Sequence, residues 1–234
     1  MEYYKGKNVK IGSNCMIGKN VVIHDDTIIG NNVRIDDNSV LGKKPMKAIT
    51  SAITKDTELQ PLSIGNNCII GTNTVLYRGA SIEDDCMVAD LATIRENVII
   101  GKKTIIGRNV TIENDCTIGF RCKIETNAYI TAHSILGDYV FIAPGVLTSN
   151  DNYTGRDNER FKHFKGVTIK KGGRVGVGAV IMPGKIIGED ALVGGGAVVT
   201  KDIPPRELWV GNPAKKFGEV KKEQLLENQD YYEG

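Results

Sequence analysis

The chain has 234 residues, a net charge of +2 and 41% hydrophobic residues, enough for a sizeable core in one elongated domain. No basic block and no apolar run of transmembrane length stands out, which argues against nucleic acid and membrane as partners; with no signal peptide in view, the expectation is a cytoplasmic protein. Five cysteines, an odd number without a CxxC pair, argue against a disulfide framework or a zinc knuckle.

In chain order, residues 1–10 hold Tyr3 and Tyr4 and read as a cap. From Ile11 every sixth residue is aliphatic: Ile17, Ile23, Ile29, Ile35, Leu41. The stretch 43–63, with Pro45 and Pro61, breaks the rhythm and reads as a surface excursion. The period returns at Ile64 and holds without a miss through Ile70, Leu76, Ile82, Val88, Ile94, Ile100, Ile106, Ile112, Ile118, Ile124, Ile130, Leu136 and Ile142. A polar loop over 144–167 interrupts it, and it resumes at Ile169, Val175, Ile181, Ile187, Val193 and Val199. The segment 203–217 closes the domain: Pro204 and Pro205 end strand pairing, and Trp209 reads as a lid on the last coil. The remainder, 218–234, is a tail whose Val220, Leu225 and Leu226 predict a short helix between Glu219 and Gln229.

A period of six fits neither a helix nor plain alternation; it marks a hexapeptide β-helix. Six residues make a short strand and a corner, and three such units make one triangular coil whose strands stack about 4.8 Å from the next. One coil cannot bury its apolar face, so the stack is the fold. The fold class is therefore all-β, a parallel β-helix over 1–217 with two excursions and a C-terminal helical tail. All five cysteines fall four places after a stepped aliphatic, at the second inward position of the hexad, and read as small buried thiols. Val22, Val75, Val98, Val180 and Val198 are expected on the outer faces, where flat apolar β surface needs cover from another subunit.

Residues eighteen apart share a corner. One corner gathers Arg95, Glu96 and Asn97, then Glu113, Asn114 and Asp115, then Thr131, Ala132 and His133, then Ser149, Asn150 and Asp151 at the mouth of the second loop. Thr200, Lys201 and Asp202 lie further along the same edge. Most corner Asn and Asp residues simply make the turn; His133 beneath Asp151 is less bland, because a carboxylate orients an imidazole and raises its basicity. Asp90 sits at a different corner and could reach this edge only from a neighbouring subunit.

The closing segment GGRVGVGAVIMPGKIIGEDALVGGGAVVTKDIPPRELWVGNPAKKF resembles the C-terminal coils of the hexapeptide acyltransferases. FIAPGVLTSNDNYTGR, MVADLATIRENVIIG and ETNAYITAHS resemble the narrower group that acylates dTDP- or UDP-linked amino deoxysugars for surface glycans such as O-antigen. The resemblance implies a left-handed helix, against the usual crossover hand, a homotrimer, and acetyl-CoA or another short acyl-CoA bound between prisms, with no metal. It implies cofactor contacts at Gly178, Ala179, Gly196, Ala197, Thr200, Lys201 and Lys215. The shared edge and the chemistry of an amine leave Asp90, Glu113, His133 or Asp151 as alternative proton acceptors, with Arg95, Glu125, Asn150, Tyr153 and Arg156 as expected substrate contacts. O-acetylating relatives carry a loop histidine near the position of Asn150 and Asp151, and this chain does not; its His163 comes later. An amine needs no deprotonation before it attacks a thioester, whereas a hydroxyl does, so N-acylation is the leading expectation and O-acylation of a sugar or other hydroxyl the alternative. A zinc enzyme would need three His ligands, and His24, His133 and His163 are unsuitably spaced. A non-catalytic scaffold stays open, since fold does not fix function.

Overall fold

A computed structural model describes residues 3–46, 48 and 58–233. The chain winds as a parallel β-solenoid of about 11 turns, the architecture of a left-handed β-helix. Among the described residues its strands stack into three faces of ten, nine and eleven strands. Registry is the eighteen-residue coil: Thr93 pairs Thr111, which pairs Tyr129.

Each hexad works the same way. The stepped aliphatic points inward, and Ile70, Leu76, Ile94, Ile112 and Ile130 are fully buried. Three places on, the chain turns through a left-handed residue, most often Asn: Asn67, Asn73, Asn97, Asn109 and Asn127 have φ between 54° and 63°. Asn tolerates that region at low cost because its short amide bonds locally. One place further, a small side chain fills the inner corner. Cys68, Cys86, Cys116 and Cys122 are buried there and Cys15 is half-buried, all as free thiols. Burial pushes Cys116 and Cys122 up to about 12, so neither is a ready nucleophile. The glycines after the aliphatics have a separate cause. A Cβ on Gly101 would lie 2.7 Å from the Gly119 carbonyl carbon of the next rung, too close to bear.

Both excursions leave from one edge. The first departs after the strand Val40–Lys43 of the ten-strand face and returns at Ser63–Ile64 of the nine-strand face; the second departs after Leu147–Thr148 and returns at Thr168–Ile169 of the same two faces. Most of the first excursion lies outside the described residues. The second begins later than the sequence suggested. Residues 144–148 stay in the prism, with Val146 buried and Thr148 standing where an aliphatic is expected. Thr148 is tolerated because its hydroxyl is satisfied: it accepts from Thr131 N at 2.8 Å and donates to Tyr129 O at 3.0 Å.

Four other expectations change. Tyr4–Lys5 is already a strand, paired with Val22–Ile23, so the solenoid begins inside the expected cap. Val98 is fully buried at an inner corner, not outward. Strand pairing does not end at Pro204 and Pro205: Glu207–Val210 pairs parallel with Leu192–Val193 and antiparallel with Lys215–Glu219, while Trp209 packs half-buried against the last coil as expected. The tail forms two 3-10 turns, Lys222–Gln224 and Leu226–Asn228, rather than one helix. It folds back on its own prism: Leu225 and Leu226 are buried, and Leu226 N donates to Asp190 at 3.1 Å.

Candidate active site

Four rungs lie on the first edge between the two excursions: 77–79, 95–97, 113–115 and 131–133. They span roughly 14 Å at the spacing of stacked strands. On the other two edges the residue after the aliphatic is usually glycine. Here it is Tyr77, Arg95, Glu113 and Thr131, so the position that elsewhere allows close stacking carries polar side chains, with Tyr77 and Thr131 buried and Arg95 and Glu113 half-buried.

Arg95 is the hub. Its guanidinium donates to both oxygens of Glu96, at 2.7 and 2.8 Å, and to Glu113 at 3.2 Å. It lies 5.0 Å from the Tyr77 ring centroid, and Lys43 Nζ lies 5.4 Å from the same ring. Glu96 is 7% exposed, a buried carboxylate met by the fork of Arg95. Glu113 has one longer contact to the same cation. Burial pushes its carboxyl above the ordinary value, Arg95 pulls it down, and the Glu96 charge pushes it up again. Burial, and then the nearby Glu113 charge, also raise the Tyr129 phenol. The result is a half-buried carboxylate with a raised proton affinity, set at an edge where a ligand can reach it.

His133 occupies a left-handed position, φ 63°, where Asn or Gly is easier. Its carboxylate neighbour is Asp115, 3.7 Å from Nδ1, not Asp151 as the stacking suggested. Asp151 is turned into its own loop. It accepts from Tyr153 N at 2.8 Å, Gly155 N at 3.0 Å and Arg160 at 3.2 Å. Burial raises this carboxyl, but those donors outweigh it and hold it below the ordinary value. Such a carboxylate organises a loop and is a poor proton acceptor.

The remaining expected residues divide by edge. Asn150 closes the base of the second loop, its carbonyl accepting from Lys165 N at 3.1 Å. Tyr153 stacks on His163 at 5.9 Å, and Arg156 is exposed on the same loop. Asp90 and Glu125 lie on the third edge, across the ten-strand face from Arg95. Asp90 accepts from Thr72 N at 2.9 Å, the bond that Asp84 makes to Asn66 N at another corner, which is a turn role. Gly178 and Gly196 are also on the third edge, with open space beside them. Ala179 and Ala197 are fully buried. All four of these amides already donate within the solenoid, at 2.8 to 3.3 Å. Thr200 and Lys201 are exposed on the first edge beyond the second loop, and Lys215 is exposed in the closing hairpin. Tyr77, Glu96 and Tyr129 were not among the expected site residues. The signal for Tyr77 was present: it takes the place of glycine on the same edge.

Family profiles match along the chain: a bacterial transferase hexapeptide (six repeats) over 8–43, a GMPPB C-terminal domain over 50–153, and the hexapeptide repeat of succinyl-transferase over 166–201. The dTDP-3-amino-3,6-dideoxy-alpha-D-galactopyranose 3-N-acetyltransferase of Aneurinibacillus thermoaerophilus is 51% identical over 57 residues, which cover 24% of this chain and 30% of that one. The chain spans about a third or less of the length of the curated relatives it matches. A mutant GDP-perosamine N-acetyltransferase from Caulobacter crescentus, solved with CoA and GDP-perosamine, superposes with a TM-score of 0.50 at 28% identity over 57% of each chain.

Proposed function

We propose that this hexapeptide-repeat chain is an acyl-CoA-dependent acyltransferase that acetylates, or adds another short acyl group to, the amine of a dTDP- or UDP-linked amino deoxysugar. One observation carries the reading: the half-buried Glu113 carboxylate, held by Arg95 at an edge flanked by both excursions. The amino-sugar N-acetyltransferase relatives support the acceptor class.

The chemistry follows from the charge state. The neutral amine attacks the thioester carbonyl, an N–C bond forms, the C–S bond breaks, and the CoA thiolate leaves. The nitrogen then carries one proton too many. Glu113, its carboxyl raised by burial, accepts that proton and first orients the amine by accepting its N–H. The thiolate takes a proton from solvent. Arg95 positions Glu113 and limits the rise in its proton affinity. The loop bearing Asn150, Tyr153 and Arg156 covers the sugar nucleotide, and Lys201 and Lys215 meet the phosphates of the acyl donor. In a homotrimer the third edge, with Asp90 and Glu125, would face the first edge of a neighbour.

Incubation with acetyl-CoA and a panel of dTDP- and UDP-amino sugars, followed by thiol release, tests this. Turnover with an amine acceptor is the expected result. No thiol release with any of them, or faster turnover with a hydroxyl acceptor, overturns it. Sedimentation of the full chain checks the trimer.

A further inference from the structure

The eleven-strand face carries an outward ladder that the proposed transfer does not use. Lys123 pairs Phe141, and Phe141 pairs Arg174, on consecutive rungs. Two cations thus stand about 10 Å apart with an aromatic ring between them. Beside them is a cavity of about 350 Å³, walled further by Arg121 and Tyr139 from the second edge and roofed by Tyr231 of the tail.

The charges in this cavity are unequal. Arg121 is matched: it pairs with Glu233, which Lys103 also holds at 2.9 Å. Arg174 is not matched, for its Nε and Nη2 are buried with no hydrogen-bond partner. Buried guanidinium donors left unpaired are destabilising. The nearby Asp190 makes no hydrogen bond to these two nitrogens, its Oδ1 accepting from Leu226 N, although its charge and that of Arg174 attract. Lys123 is exposed and has no ion pair among the described residues. The ladder thus puts two cations on one face of the sheet.

We infer that this cavity under the tail is a binding site for a nucleoside phosphate, separate from the acyl-transfer edge. The phosphate lies between Arg174 and Lys123, and the base packs on Phe141 under Tyr231. A phosphate beside Arg174 and Lys123 supplies acceptor oxygens and negative charge to the pair. The aromatic walls favour a flat ring over a bare anion. The inference does not depend on the transfer reaction, and its test reads binding directly.

Calorimetry of the full chain with ADP, inorganic pyrophosphate and CoA is the experiment. ADP should bind, more tightly at low salt, and more tightly than pyrophosphate. Arg174→Gln should weaken ADP about tenfold, or about 1.4 kcal/mol, and Lys123→Gln by a smaller factor. Should Arg174→Gln fail to fold, Lys123→Gln still decides, because its side chain is exposed. No heat with ADP, pyrophosphate binding as well as ADP, affinity unchanged in the variants, or one-for-one competition between ADP and CoA would each overturn the assignment.

Discussion

The first and second edges of the prism are built from the same hexad and are used in opposite ways. On the second edge the residue after the aliphatic is Gly101, Gly119 and Gly137, and rungs stack with backbone almost in contact. Its large side chains sit instead at the left-handed corner: Lys103, Arg121 and Tyr139, with φ of 58°, 53° and 58°. They hold the tail. Tyr139 meets Phe120 and Tyr232 edge-on, both at 5.4 Å, and its hydroxyl accepts from Glu233 N at 3.0 Å. On the first edge the glycine is gone and Arg95 and Glu113 project from its place, while Asn97 and Asp115 keep the corner relaxed. One edge accepts backbone strain to grip its own chain. The other gives up close stacking to present charge between two excursions.

Five substitutions test that contrast. Arg95→Met strips the buried Glu96 of its fork and should cost about 3 kcal/mol, read in chemical denaturation, as well as lowering turnover. Glu113→Gln should lower kcat/KM about a hundredfold with the amine acceptor and leave thermal stability equal or higher. Its folded pKa is raised, so the stability owed to its proton is present below the ordinary carboxyl value of 4.5 and is lost as pH rises through the folded value. The variant's advantage should therefore grow from acid to neutral pH, and the acid limb of the rate profile should disappear. Gly101→Ala on the second edge should cost about 1–3 kcal/mol by overpacking, whereas Thr131→Ala at the equivalent first-edge position should cost less than about 1 kcal/mol. Equal costs would erase the distinction. The smallest effect is expected for His133→Asn, which relaxes a left-handed corner and should gain up to about 1 kcal/mol with little change in amine acylation. A large loss of activity there would move the proton acceptor from Glu113 to His133.

The hexad was legible because burial is periodic: a residue repeated every six places must face one interior, whatever else the chain does. Stacking by eighteen correctly brought Arg95, Glu113 and His133 to one edge. It failed where the chain leaves the lattice. Asp151 was placed over His133 by counting, but the loop turns its carboxylate onto Tyr153, Gly155 and Arg160. Thr148 hid the last rung before that loop, because a satisfied hydroxyl takes the place of an aliphatic.

The sequence by itself determined the prism, its coil length, the small buried thiols and the polar edge, since all of these follow from local periodicity and side-chain volume. Only the tertiary structure decided which carboxylate meets which cation, that both excursions share one edge, and that the tail returns along another. Those depend on contacts between residues dozens of places apart whose partners no period specifies, and on desolvation, which sets the proton affinity of Glu113 only once its neighbours have closed around it.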